Sequence, residues 1–219
     1  FQEINAAKFK RKWVQAFAQN GEAGVKLQIH KDRGVVGRAL VIDYTTPAPK
    51  RDAGGYAEVQ EILLLQSLGL KVTFLPENLA HMGEATATLR RLGIEMIHAP
   101  FHVSLEGFLA KRGSEFDLVY ITRYDVAERH LPVIRKYTRA KIALNLCDLH
   151  FLRALRSVAL GGASLQEAIQ IRDHELDVLR KVDSVLTYNE MEKAIILSHN
   201  LSDAHVFHCP WVAQAKPTP

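Results

Sequence analysis

The densest group of polar side chains in the sequence follows a short apolar run at residues 142–144. Asp148, His150, Arg153 and Arg156 lie within nine residues of one another. A carboxylate beside an imidazole can tune the imidazole for proton transfer or hydrogen bonding. A structural alternative stays open, in which Asp148 caps the helix that follows. We predict Asp148 and His150 as catalytic candidates.

A single arginine, Arg123, stands directly after a second apolar run at residues 118–121. The planar guanidinium binds phosphate or carboxylate groups through paired N–H donors. An ion pair with Asp125 or Glu128 is the structural alternative. We predict Arg123 at the carboxyl end of a strand, facing a ligand cleft.

A long loop follows the first apolar run, at residues 39–42, and ends in the pair Gly54 and Gly55 at a predicted helix start. Free backbone donors and the helix dipole favour an anion there, and missing side chains allow close approach. The pair predicts a phosphate or diphosphate contact, although a turn alone would also explain it. The charges before it, Lys50, Arg51 and Asp52, are equally consistent with a solvated loop.

Several common motifs are missing from the sequence. The first loop lacks the three spaced glycines of dinucleotide enzymes, which argues against nicotinamide and flavin cofactors and leaves an oxidoreductase or methyltransferase as a minor alternative. There is no nucleophile elbow and no phosphate-binding loop ending in Gly-Lys-Ser/Thr. Cys147 and Cys209 are the only cysteines, and neither they nor the histidines have zinc-site spacing. We predict no metal site.

The elements that must position these residues alternate along the chain. Strand-sized apolar runs occur at 39–42, 72–75, 94–97, 118–121, 142–144, 185–188 and 206–207. Helix-like stretches separate them, at 56–68, 85–92, 105–111, 126–137, 149–160, 165–182 and 190–198. This alternation predicts an α/β, Rossmann-like, doubly wound parallel sheet of order 3-2-1-4-5-6, with helices on both faces. Gly69 and Gly93 are predicted to close the helices before them.

Length and charge bound the remaining possibilities. The 219 residues carry a net charge of +4, a mild excess that permits nucleic acid without demanding it. We expect no nucleic-acid partner. No apolar run approaches the ~18 residues of a membrane span. With two unpaired cysteines, a cytoplasmic location is expected.

The first 19 residues form a separate segment, predicted as a helix ending before Asn20. Its aromatic positions, Phe9, Trp13 and Phe17, alternate with basic residues. This composition suits a docking face or, alternatively, contact with the inner face of a membrane. The domain prediction is therefore a helix and connector at 1–37, a Rossmann-like domain at 38–212 and a tail or linker at 213–219.

The order of these motifs resembles the amino-terminal half of GT-B fold glycosyltransferases, and is most similar to bacterial enzymes of glycosyltransferase family four. The resemblance covers residues 38–212 and rests on RALVID at 38–43, DAGG at 52–55, LGLKVTF at 68–74, LGI at 92–94, FDLV at 116–119, TR at 122–123, AER at 127–129 and DLHFLR at 148–153. It implies an acceptor-side domain whose active site is shared with a second, donor-binding domain. That carboxyl-terminal domain is not part of these 219 residues, and it is expected as a partner.

The resemblance also implies roles for individual residues. Gly54 and Gly55 would approach the donor diphosphate, and Arg123 and Arg153 would position anionic groups. Asp148 and His150 would lie near the transferred sugar and the acceptor hydroxyl. The expected reaction transfers a sugar from a nucleotide sugar to a glycan or lipid-linked acceptor in polysaccharide synthesis, with no cofactor and no required metal. The alternative is a non-catalytic Rossmann-like interaction module in a polysaccharide-assembly complex.

Overall fold

The computed structural model describes residues 2–18, 24, 34–162, 164–202 and 205–213. Contacts divide the chain into two units, at 1–36 and 37–219. The predicted helix end before Asn20 and all but the first residue of the predicted tail at 213–219 lie outside the described residues.

The first unit contains a short helical pair, α1 (Gln2–Lys12) and α2 (Val14–Ala18). The predicted single helix is therefore interrupted at Trp13, although the Trp13 and Phe17 amides still donate to the carbonyls four residues earlier. The rings of Phe9 and Phe17 meet edge to face, with centroids 5.9 Å apart.

In the described part of the second unit, seven parallel strands form one sheet of order β3-β2-β1-β4-β5-β6-β7. The strands are β1 (Gly37–Asp43), β2 (Leu70–Pro76), β3 (Glu95–Met96), β4 (Leu118–Thr122), β5 (Lys141–Asn145), β6 (Ser184–Thr187) and β7 (Val206–His208). The doubly wound prediction and its strand order are confirmed, with β7 added beside β6.

The helices of this unit follow the predicted alternation, with bounds shifted by a few residues. They are α3 (Ala53–Ser67), α4 (Glu84–Arg91), α5 (Leu105–Arg112), α6 (Tyr124–Tyr137), α7 (His150–Ala159), α8 (Leu165–Lys181) and α9 (Glu190–Ser198). α3 begins three residues before the predicted start because Asp52 caps it. Gly69 and Gly93 have φ of +85° and +81°, as predicted for residues that close helices.

The sheet is buried on both faces because residues in β1 alternate between two apolar cores. Leu40 and Ile42 pack with apolar residues of α5, α6 and α8, whereas Ala39 and Val41 pack with those of α3 and α4. These side chains are fully buried, which explains why the strands read as unbroken apolar runs.

The strand order reverses between β1 and β4, which pair from Ala39 with Leu118 to Ile42 with Ile121. The segments that leave these two strands run to opposite sides of the sheet, so a crevice forms at the carboxyl ends of β1 and β4. No helix among the described residues is long and apolar enough to cross a membrane.

Candidate functional site at the carboxyl edge of the sheet

A cavity of about 450 Å³ opens where the strand order reverses. The loop after β1 forms one wall, and Arg123, Asp125 and His150 contribute from the ends of β4 and β5. This position is the one at which parallel α/β sheets bind ligands. The structure therefore brings Arg123, Gly55 and His150, predicted from three separate motifs, to one cavity.

Asp43, the last residue of β1, lies at the floor of this cavity and organises it. Its Oδ1 accepts hydrogen bonds from the Tyr44 amide at 2.7 Å and from Arg123 Nε at 3.1 Å. Asp43 is thus the ion-pair partner of Arg123, in place of Asp125 or Glu128. Those two acids pair with Arg129 and His174.

Glu58, on α3, is hydrogen-bonded to Asp43, so two carboxyl groups meet in the floor. Its side chain is only 4% exposed. Burial, and then the charge of Asp43, raise the pKa of Glu58 well above its ordinary value. Burial also raises the pKa of Asp43, which Arg123 opposes. Two carboxylates in contact resist ionising together, which is why the charge of Asp43 adds to the effect of burial on the pKa of Glu58.

Two non-glycine residues just beyond the strand ends have left-handed backbone conformations. Arg123 has φ of +77° and Cys147 has φ of +61°. Such conformations cost on the order of 1 kcal/mol and cluster at functional sites. The Arg123 amide donates a hydrogen bond to the Asn145 carbonyl at 2.8 Å. This bond extends the pairing of β4 with β5 by one residue before the chain turns. The chain therefore turns sharply at the cavity after β4, and again two residues after β5.

Asp148 and His150 lie side by side, and of the two His150 lines the cavity. Asp148 Oδ1 is 3.6 Å from His150 Nε2, and its Oδ2 is 3.5 Å from Arg153 Nη1. The Tyr124 ring meets the imidazole edge to face, with centroids 4.9 Å apart. Burial, and then the charge of Arg153, lower the pKa of His150. The imidazole is therefore neutral near pH 7 and able to accept a proton.

The start of α7 is held by Glu175 of α8, so the capping role considered for Asp148 belongs to another residue. The amides of His150 and Phe151 donate to the two carboxylate oxygens of Glu175, at 3.1 and 2.9 Å. Burial raises the pKa of Glu175 to about 7 despite these bonds. This cap fixes the backbone from which His150 reaches the cavity.

The two glycines at the start of α3 have different surroundings. The Gly55 amide donates to Asp52 Oδ1 at 2.6 Å, and Gly55 is buried against the backbone of Ala48. Gly54 is exposed, and a Cβ atom added there would have only Asp52 Oδ1 within 4 Å. Gly55 therefore has a structural role, because it lets the loop pack closely against the start of α3. The diphosphate contact stays a prediction for Gly54 and Gly55.

A second buried carboxyl group, Glu61, lies one helical turn beyond Glu58 on α3. It accepts hydrogen bonds from Tyr120 Oη at 2.8 Å, from Asn145 Nδ2 at 2.9 Å and from Tyr188 Oη. Burial raises the pKa of Glu61, which these donors oppose. The group ties α3 to β4, β5 and the end of β6, so it supports the cavity from outside its lining.

Asp43, Glu58 and Glu175 were not singled out from the sequence. Glu58 and Glu175 each lie on the buried side of a helix, and an acidic residue in that position was the signal that the sequence offered. Their partners lie far away along the chain, and a carboxyl group on an isolated helix is typical of a solvated face. Among the described residues, no group of three or more His, Cys, Asp or Glu side chains is arranged to hold a metal ion.

In the comparisons with known proteins, no family model and no curated protein matches the sequence. The fold defines the class of protein, a Rossmann-like α/β domain, and the cavity lies where the strand order of its parallel sheet reverses.

The glycine pair gives a matched test of packing. In Gly55→Ala the new Cβ would lie 2.8 Å from the Ala48 nitrogen, so we expect a loss of about 1–3 kcal/mol in the free energy of unfolding. In Gly54→Ala the nearest atom is 3.6 Å away, and alanine stabilises a helix by about 0.5–1 kcal/mol relative to glycine. Urea denaturation measures both, and equal effects of the two changes would contradict this assignment.

The Glu175 cap gives a test by pH. Because the pKa of Glu175 is raised to about 7 in the folded protein, the native state binds this proton more tightly than the unfolded chain. The protonated carboxyl group therefore stabilises the folded protein at pH values below the ordinary Glu pKa. This stabilisation, on the order of 3 kcal/mol, is lost as pH rises to about 7.

Glu175→Gln has no such proton, so the free energy of unfolding of the wild type should fall relative to that of the variant between pH 4.5 and 7.5. Other buried acids contribute to both proteins and cancel in the difference. Parallel pH profiles for the wild type and Glu175→Gln would show that Glu175 is not the titrating group.

Proposed function

We propose that residues 38–212 form the acceptor-side domain of a glycosyltransferase, which transfers a sugar from a nucleotide sugar to a glycan or lipid-linked acceptor. The observation that carries this proposal is the meeting of two groups at one cavity. The Asp43–Arg123 pair lies at the ends of β1 and β4, and His150, with Asp148 beside it, follows β5. The sequence resemblance to GT-B enzymes supports the same activity.

The chemistry of the two groups suits sugar transfer. An acceptor hydroxyl attacks the anomeric carbon, the bond to the diphosphate breaks, and the hydroxyl proton must be taken up. His150 is neutral near pH 7 because burial lowers its pKa, so its imidazole can accept that proton. The guanidinium of Arg123 is half-exposed at the cavity and can stabilise the charge that develops on the leaving diphosphate.

Arg153 is placed to act on His150 and Asp148 from the solvent side. Its side chain is 62% exposed, and its Nη1 lies 3.5 Å from Asp148 Oδ2. In the proposed function it retains a free edge for an anionic group. The second, donor-binding domain expected from the resemblance, and the assignment to family four, belong to the same proposal.

One observation favours a second function, an interaction module. Phe9, Trp13 and Phe17 are all exposed on the first unit, beside four basic residues of α1. Such a surface suits a protein partner in a polysaccharide-assembly complex or the anionic face of a membrane. Under this alternative the cavity would have no catalytic role.

Sugar transfer by the full-length gene product tests the two functions. We expect nucleoside diphosphate release from at least one member of a panel of UDP-, GDP-, ADP- and dTDP-sugars. His150→Ala should lower kcat about 100-fold or more because a positioned proton acceptor contributes on the order of 10²–10⁴. Asp148→Ala should lower it less, since Asp148 acts through the imidazole.

His174→Ala provides the matched control, because His174 also contacts a carboxylate, Glu128, but lies on α8 and does not line the cavity. It should leave kcat unchanged. Full transfer activity in His150→Ala, or no release from any donor in the panel, would overturn the glycosyltransferase proposal and favour the interaction module.

A further inference from the structure

We infer that a second cavity, at the amino-terminal edge of the sheet, binds an oligophosphate, a small anion with two or three linked phosphate groups. The cavity has a volume of about 710 Å³ and lies between the end of α6 and the starts of β4 and β5. It shares no lining residue with the candidate site at the carboxyl ends of the strands. The inference therefore goes beyond the proposed function and does not rest on it.

The charged side chains that line this cavity are mostly cations. Four of the seven residues at 135–141 are basic and contribute to the lining: Arg135, Lys136, Arg139 and Lys141. Among the described residues, Asp117 is the acid that lines the cavity with them. A dense run of Lys and Arg around a concave surface concentrates positive potential there and favours anionic ligands.

A structural explanation accounts for only part of this cluster. Cations in the last turn of a helix offset the negative end of the helix dipole, and Arg135 and Lys136 occupy the last turn of α6. Arg139 lies beyond that helix, and Lys141 is the first residue of β5. The helix dipole therefore does not explain why these two cations face the same cavity.

The backbone that carries Arg139 is fixed by a tight turn between α6 and β5. The Thr138 amide donates to the Ile134 carbonyl at 3.0 Å, and the Thr138 hydroxyl accepts from the Ala140 amide at 3.0 Å. Thr138 and Ala140 are both buried. Because the turn is already ordered, a ligand that binds there does not pay for ordering the backbone.

Acids outside the cavity neutralise the cations only in part. Arg135 Nη2 and Lys141 Nζ contact one carboxylate, Asp183, at 2.8 and 3.2 Å, so a single negative charge faces two positive ones. The Arg139 side chain is exposed and has no hydrogen-bond or ion-pair partner among the described residues. Positive charge therefore remains for a ligand.

Two further acids do not remove this excess. Glu106 contacts Lys136 Nζ at 3.0 Å from outside the cavity lining. Asp117 lines the cavity, but its Oδ2 accepts the Arg38 amide at 2.8 Å, which holds the carboxylate against the start of β1. The guanidinium of Arg139 is thus left to an anion that enters from solvent.

Phosphate groups suit these donors. A guanidinium binds phosphate oxygens through paired N–H donors, and a lysine ammonium binds them as a compact charge. Ser114 adds an exposed hydroxyl group to the lining, and a hydroxyl group also donates to phosphate oxygens. One phosphate group fills a small part of about 710 Å³, whereas linked phosphate groups reach cations that are spread over residues 135–141.

Calorimetric titration of the 219-residue chain with inorganic triphosphate tests the inference. We expect saturable binding that weakens as salt rises from about 50 to 300 mM, because salt screens exposed charges. Citrate is the comparison anion. It should bind more weakly, because its three carboxylates carry less charge than the linked phosphate groups.

Two variants at Arg139 test the cation that has no protein partner. Arg139→Ala should weaken triphosphate binding about five- to ten-fold, the loss of a charged pair of donors, and should leave the melting temperature unchanged. Arg139→Lys keeps the charge without the paired donors, so its affinity should lie between those of Arg139→Ala and the wild type.

Asp117→Asn tests the sign of the ligand's charge. Asparagine keeps an acceptor oxygen for the Arg38 amide but removes the negative charge from the lining. Triphosphate should therefore bind about two-fold more tightly to this variant. Weaker binding of triphosphate to Asp117→Asn, with its melting temperature unchanged, would contradict an anion site.

Arg51→Ala is the matched control. Arg51 is also an exposed arginine, but it lines the cavity at the carboxyl edge. Its removal lowers the net charge of the chain equally and should leave the Arg139-dependent binding unchanged. The inference is overturned if triphosphate does not bind, if Arg139→Ala binds it as tightly as the wild type, if Arg51→Ala weakens binding as much as Arg139→Ala does, or if citrate binds equally well.

Discussion

The burial of two carboxyl groups on α3 is the interaction on which the carboxyl edge of the sheet depends. Glu58 and Glu61 face the sheet one helical turn apart, where charge is costly unless it is bonded or neutralised. Glu58 meets this cost through its contact with Asp43, and Glu61 by accepting hydrogen bonds from three side chains. Each solution recruits residues from the ends of neighbouring strands, so α3 and these strand ends are positioned together.

The same principle explains the position of His150. Its helix begins inside the molecule, where free amides also need partners, and Glu175 supplies them from α8. A carboxyl group again links two elements that are distant in sequence. The cavity is thus bordered by buried acids that hold the backbone, while the groups proposed for chemistry, Arg123 and His150, retain exposed edges.

Most of the fold could be predicted from the sequence, because the strands are buried on both faces and read as apolar runs. The strand order followed from the alternation of elements, and Gly69 and Gly93 followed from helix closure. The carboxyl groups could not be found in this way. The burial of Glu58 depends on Asp43 and Arg123, which come from the ends of two different strands. No local periodicity in the sequence indicates that these residues lie together. The pairing of Arg123 was open for the same reason, since its nearest acids in sequence face other partners.

The Glu175 cap has a consequence for divergence among related domains. It bonds to backbone amides, which every residue except proline provides, so it places no demand on the side chains at positions 150 and 151. A lineage that keeps Glu175 can exchange His150 for another side chain without losing the start of α7. The protein thus separates the residue that locates this helix from the residue that faces the cavity, so the lining of the cavity can change while the framework stays intact.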